Sequence, residues 1–182
     1  TYKDIYYFKP IKEIYLDKFA NKLCGETRKD HFKGVLNVVN RLLEIIKPKY
    51  MLLGIKDFQQ LHLIKSHVKK RRINTKIISC KTIREANKVA CSTRNNNISK
   101  SNYIIASKVF KYLTKKKNLV KKNLKFFNYK NYKQDLLKLG IKKIDYIKIY
   151  NLNTLKKPLN KKEKFKIFIS YYLDKVRLID NI

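Results

Sequence analysis

Residues 54 to 60 read Gly54-Ile55-Lys56-Asp57-Phe58-Gln59-Gln60, joining a small residue, a mobile cation, a carboxylate and two amides. At a strand end, Gly54 lets a ligand approach the backbone and Lys56 offers charge to a phosphate. Asp57 offers acceptor oxygens to a hydroxyl such as that of a ribose. Backbone N–H groups where a strand passes into a helix complete a site of this kind. An ordinary turn with a surface lysine is the competing reading. Gln60 lies one helical turn beyond Lys56 and can share its face, where its amide would hold substrate hydroxyl or carboxylate groups. Gln59 is read as solvated and without a role.

A second cluster, Ser92-Thr93-Arg94-Asn95, places two hydroxyls and a guanidinium in a predicted loop. These groups suit triphosphate oxygens, and a capping turn is the alternative. His31 is a possible ligand or proton donor, although a single histidine before a helix is more often structural. His62 and His67 are five residues apart, the wrong spacing for a metal site on one helical face. Cys24, Cys80 and Cys91 are odd in number and include no CxxC pair. No metal site and no disulfide framework is assigned, and a reducing cytoplasm is the expected compartment. The chain has no P-loop, no GxGxxG and no nucleophile elbow.

The elements that would carry these residues are legible from periodicity. Asp4–Phe8 is a short apolar run closed by Pro10, a predicted strand. Val35, Val38, Val39, Leu42, Leu43 and Ile46 recur at helical spacing, with Asp30 as the expected cap and Pro48 as the stop. Tyr50–Ile55 is a continuous apolar run, predicted to be a strand buried on both faces. Asp57 is the expected cap of a helix whose inner face is Phe58, Leu61, Ile64 and Val68, closed by Lys69-Lys70-Arg71-Arg72. Thr75–Cys80 reads as the next strand. Strand, helix and strand within about thirty residues make a βαβ unit with parallel strands. Ligands bind such sheets beyond the carboxyl ends of the strands, here at Gly54–Asp57 and near Thr82–Glu85.

Beyond residue 83 the pattern changes. Ser99 is the expected cap of a helix carrying Ile105, Val109 and Leu113, and Lys115–Lys125 reads as a solvated helix face or loop. Gly140 is the expected terminator of a helix ending in Leu136, Leu137 and Leu139. Ile144–Tyr150 and Phe165–Tyr171 are rich in β-branched and aromatic residues and read as strands. Helices followed by separated strands predict a small α+β lobe.

Composition bounds the rest. Apolar residues make up 44% of the 182, enough for a core, and no run is long enough to span a bilayer as a helix. No signal pattern opens the chain, and a start without Met reads as a piece of a longer protein. The formal charge of +32 points toward nucleic acid. Yet 38 of the 45 basic residues are Lys, spread through the chain, whereas base and phosphate readout favours Arg. Lys, Ile, Asn and Tyr together supply about half the chain, and all four can be encoded by codons of A and T alone. Compositional drift accounts for the charge better than a selected polyanion site.

In order and spacing, three groups of residues resemble the pantothenate synthetase family. They are Arg28-x-x-His31-Phe32-x-Gly34-Val35, Gly54-x-Lys56-Asp57-Phe58-Gln59-Gln60-Leu61, and Arg84-Glu85-Ala86 with Ser92-Thr93-Arg94-Asn95. Asp4–Phe8 with Ile14-Tyr15 is similar to a strand and loop of that family, and Arg177-Leu178-Ile179-Asp180-Asn181 is similar to its chain end. The resemblance implies an α/β fold. Residues 1–82 would be part of a Rossmann-like nucleotidyltransferase domain with a parallel sheet, and 83–182 a small α+β lid domain. It also implies a homodimer if the chain is complete. The implied reaction uses ATP with Mg²⁺ on its phosphates. Pantoate is adenylated with release of pyrophosphate, and the amine of β-alanine then displaces AMP.

By matched position, Gly54, Ile55, Lys56 and Asp57 would bind ATP, with Lys56 on phosphate and Asp57 on ribose. Ile83 would meet adenine through its backbone, Cys91, Ser92, Thr93 and Arg94 would grip phosphates, and Gln60 would hold pantoate. Lys56 and Arg94 would stabilise charge developing at the α-phosphate. The sequence departs from the family where Ile55 replaces a Glu, Lys29-Asp30 replaces Pro-Gly, and Asn87-Lys88 replaces Asp-Gly. Cys91 stands for a larger apolar residue and Thr93 for Ser, and the segment from Tyr15 to Cys24 is short. The family's His-x-Gly-His motif, which supplies its proton donor, and its Asn-Pro-x-Gln-Phe segment do not occur in these 182 residues. The expected function is therefore a pantoate–β-alanine ligase in fragment form. A non-catalytic remnant that binds nucleotide or a partner is the alternative, and a basic nucleic-acid module ranks last. The expected partners are small-molecule substrates, with no specific nucleic acid and no membrane.

Overall fold

A computed structural model describes residues 13–182, so the predicted strand at Asp4–Phe8 lies outside the described residues. The chain divides into two compact units, Thr1–Lys81 and Thr82–Ile182. In the first, a short helix α1 (Cys24–Thr27) precedes α2 (His31–Ile46), β1 (Tyr50–Gly54), α3 (Phe58–Lys70) and β2 (Lys76–Cys80). β1 and β2 pair in parallel, with Tyr50 opposite Lys76 and Gly54 opposite Cys80, as the βαβ reading requires.

The core of this unit is Leu36, Leu43, Ile64 and Val68, joined by Met51, Leu53 and Ile77 from one face of the sheet. The expectation that β1 is buried on both faces is not met. Leu52 is 65% exposed, and Tyr50 and Ile78 are exposed as well. Among the described residues helices cover one side of the pair, and the strand alternates between covered and open residues.

The predicted stripe of α2 also needs correction. Phe32, Leu36, Asn40 and Leu43 face inward, while Val38 and Ile46 are exposed. Apolar residues occupy so much of this helix that periodicity alone does not choose the inward arc. Contact with α3 and the sheet chooses it. Asp30 has left-handed backbone geometry and makes no side-chain cap bond, contrary to expectation. Asp57 does not cap α3 with its side chain either, because Ile55–Asp57 forms a 3₁₀ turn that leads into the helix. The inner face of α3 includes Leu61, Ile64 and Val68 as predicted, but also Gln59, Leu63 and His67, whereas Phe58 is only half-buried.

The second unit contains α4 (Lys100–Lys122), α5 (Tyr129–Lys138), β3 (Lys143–Asn151), β4 (Phe165–Leu173) and β5 (Val176–Asn181). The strands form an antiparallel sheet in the order β3-β4-β5. Its core joins Val109 and Leu113 of α4 and Leu136 of α5 to Ile147, Ile167 and Ile169 of the sheet. Ser99 caps α4 through its hydroxyl, which accepts from the Asn102 N–H at 3.2 Å. The Lys- and Asn-rich stretch is helical to Lys122 and then turns at Leu124–Phe126. Gly140 stops α5 with φ +103°, a conformation that glycine adopts without strain. β5 was not predicted as a strand, because Arg177 and Asp180 interrupt its apolar character. Among the described residues no helix is long and apolar enough to cross a membrane.

Candidate active site

Gly54, Ile55, Lys56 and Asp57 lie where β1 ends and the 3₁₀ turn begins, the position expected of a phosphate and ribose site. Gly54 has extended geometry, and a Cβ built there would meet nothing within 4 Å. Neither torsion nor packing inside the unit therefore demands glycine, and the space over the strand end is open. Ile55 and Lys56 are half-buried, and Asp57 is exposed with its carboxylate unused by the helix.

Gln60 opens onto a cavity of about 620 Å³. Lys29, Asp30 and His31 form its rim, and Gly34, Val35, Val38 and Val39 form a wall along α2. Of the valines that periodicity assigned to the core, Val39 packs against it while also bordering this cavity, and Val35 and Val38 line the cavity. One wall is apolar and branched, and the rim mixes a cation, a carboxylate and an imidazole around one amide.

The reading of Gln59 as solvated is overturned. It is 5% exposed. Its Oε1 accepts from the Cys24 N–H at 3.1 Å, and its Nε2 donates to Phe19 O at 2.7 Å and Lys22 O at 2.6 Å. The buried amide pairs with the Cys24 N–H and adds a second donor to Phe19 O and Lys22 O, which already accept from Lys22 N–H and Gly25 N–H. The sequence carries a faint signal for this: in a helix, adjacent residues point about 100° apart, so two neighbouring glutamines cannot both face the cavity.

The second unit holds the other predicted residues. The backbone folds back between Ile83 and Cys91, whose N–H donates to Ile83 O at 3.0 Å, and Arg84 bridges Ala90. The Ile83 side chain is 76% exposed. Cys91, Thr93 and Arg94 are exposed, leaving Arg94 accessible to an anion. The Ser92 hydroxyl accepts from the Arg94 N–H at 3.2 Å, so here the capping-turn alternative is realised. The residues that shape this loop lie in the matched motifs, but the sequence assigned them no role. Asn95 is buried and donates to Glu85 Oε1 at 2.7 Å and Ala90 O at 3.2 Å. Arg84 grips Asp180 with two nitrogens at 2.8 and 2.9 Å while stacking 4.3 Å above the Phe110 ring.

The chain is 33% identical over 194 residues to a pantothenate synthetase of Flavobacterium psychrophilum, covering 100% of this chain and 69% of the relative. It is 38% identical over 183 residues to that of Ruthia magnifica subsp. Calyptogena magnifica, covering 99% and 64%. A crystal structure of pantoate-beta-alanine ligase from Francisella tularensis, complexed with beta-gamma ATP and beta-alanine, superposes with TM-score 0.74 at 36% identity. That match covers 99% of this chain and 61% of the other. The chain thus spans about two thirds of the length of the relatives it matches. The family model described as pantoate-beta-alanine ligase matches residues 1–182, and the chain belongs to that family.

Proposed function

We propose that this chain supplies the nucleotide-gripping and much of the pantoate-holding part of an ATP-dependent ligase that condenses pantoate with β-alanine. The observation that carries the reading is the junction at β1. Lys56 and Asp57 stand at an open strand end, and Gln60, one turn further, opens onto a cavity walled by valines. Pantoate is a branched dihydroxy acid with two methyl groups on one carbon. Those methyls match the Val35–Val38–Val39 wall, and the Gln60 amide matches the hydroxyl or carboxylate end.

In the first step a pantoate carboxylate oxygen attacks the α-phosphorus of ATP, and the bond to the leaving pyrophosphate breaks. In the second, the β-alanine amine attacks the acyl carbon, AMP leaves with the bonding electrons, and the amine releases a proton. Lys56 meets phosphate oxygens where charge accumulates, and Asp57 accepts from ribose hydroxyls. The exposed Arg94, with Ser92, Thr93 and the backbone at Cys91, grips the phosphates, and Ile83 offers backbone to adenine. Preorganised charge at the α-phosphate is the main requirement of such a transfer. The second unit is assigned the part of a lid.

Mg²⁺ would arrive on the triphosphate and neutralise its oxygens. Among the described residues no three His, Cys, Asp or Glu lie together as a metal cage. ATP and beta-alanine are named with the Francisella tularensis structure, which supports both as ligands here. A homodimer in the cytoplasm completes the reading.

The test is pyrophosphate release from ATP with pantoate and Mg²⁺. It is measured with the purified chain and with the chain mixed with the N-terminal third of a full-length relative. The expected result is pantoate-dependent release only in the mixture, because these 182 residues contain no His-x-Gly-His. Release by the chain alone would show that its own residues suffice. ATP binding without release in either sample would favour the non-catalytic remnant.

A further inference from the structure

Gln59 and Gln60 are chain neighbours on the first turn of α3, and they work on opposite sides of one loop. Gln60 opens onto the cavity. Gln59 turns into the protein and collects the backbone of residues 19–24 through hydrogen bonds to Phe19, Ala20, Lys22 and Cys24. The clamped loop is tight. A Cβ added at Gly25 would lie 1.7 Å from Ala20 O, so the chain folds onto itself at van der Waals limit around the amide. From Cys24 the backbone runs through α1 and the left-handed Asp30 directly into Lys29, Asp30 and His31, the cavity rim.

We infer that Gln59 is a positioning residue for this cavity, holding the Lys29–His31 rim at a set distance from Gln60. The inference rests on the ligase reading only for the identity of the ligand.

The chemistry singles out glutamine. Its amide donates two N–H bonds to Phe19 O and Lys22 O while its oxygen accepts from Cys24 N–H. A carboxylate of the same shape only accepts, and would face two carbonyl oxygens without a proton between them. A protonated carboxyl group recovers one donor and one acceptor. Gln59→Glu therefore converts a constant clamp into one that closes in acid and opens near neutrality, and a parallel pH response in pantoate affinity separates positioning from a purely structural clamp.

The experiment compares the wild-type chain with Gln59→Glu, Gln59→Leu and Gln60→Ala. Amide hydrogen exchange is measured across residues 19–31, and pantoate affinity by calorimetry at pH 5.5 and 7.5. At pH 7.5, Gln59→Glu is expected to speed exchange at Cys24 and at Lys29–His31 and to weaken pantoate by about tenfold or more. At pH 5.5 both differences from wild type should shrink. Gln60→Ala should weaken pantoate without changing exchange in the loop. Wild-type exchange at Lys29–His31 in Gln59→Glu would overturn the assignment. So would a loosened loop with unchanged pantoate affinity, which would make Gln59 a structural clamp only. If Gln59→Leu fails to fold, the pH response of Gln59→Glu decides. If neither the wild-type chain nor its mixture with the N-terminal third of a relative takes pantoate, the ligand reading falls, and exchange at Lys29–His31 decides whether Gln59 sets the rim.

Discussion

The imidazole of His67, fully buried, joins Asn40 through Nε2 at 2.9 Å, and this bond ties α3 to α2. The Tyr15 N–H donates to Nδ1 at 3.0 Å, so the ring proton resides on Nε2 and is donated to Asn40 Oδ1. Asn40 in turn donates to Glu44 at 2.9 Å, and Arg41 pairs with Glu44 at 3.4 Å. Burial, helped by the nearby Arg71, holds His67 below its ordinary value of 6.5. An unfolded chain takes up this proton below about pH 6.5, and the folded chain does so only at lower pH. The stability that His67 contributes is complete above about pH 6.5 and is lost as pH falls through the folded value. Urea midpoints should drop between pH 7.5 and 5, and His67→Leu should flatten that slope. The same substitution should cost about 1–3 kcal/mol for each buried group left unpaired.

Arg84 and Asp180 tie the loop that carries Cys91–Arg94 to the last strand of the sheet. Both side chains are mostly buried, so removing one leaves the other charge poorly solvated. Arg84→Ala and Asp180→Ala are each expected to cost about 3 kcal/mol, with the double variant costing much less than their sum. Chemical denaturation of the four proteins in the cycle checks this. Additive losses would show that the pair does not act as a unit.

Lys56→Ala should abolish pantoyl adenylate formation in the complemented protein and leave the melting temperature nearly unchanged. Substitutions at such positions away from the core alter stability by about 0.5 kcal/mol or less. Quench-flow detection of the adenylate reads the first effect and circular dichroism the second. An unchanged adenylation rate would remove Lys56 from the phosphate site.

The positive charge should bind duplex DNA weakly, without sequence preference and with steep salt dependence. Fluorescence anisotropy with two unrelated duplexes, at low and physiological salt, provides the measurement. Sequence-selective submicromolar binding at physiological salt would show that the lysines are a selected surface.

Much of this protein was legible in its residues because the signals were local. The parallel βαβ unit follows from two apolar runs flanking a periodic helix, and the Ser99 cap and Gly140 stop follow from backbone chemistry at single positions. The block from Gly54 to Gln60 carried the family resemblance, which matched residues 1–182 bear out. Which arc of α2 faces inward was decided by the surfaces it meets. Val35 and Val38 went to a cavity, Leu36, Asn40 and Leu43 went to the interior, and Val39 borders both. Gln59 reads as solvated, and the sequence assigns His67 no interior role, because burying a polar group is costly until its partners are known. Those partners, Phe19, Lys22 and Cys24 for one and Tyr15 and Asn40 for the other, lie 27 to 52 residues away. Hydrogen bonds across such separations form only when the chain closes on itself, so periodicity and local propensity carry no trace of them.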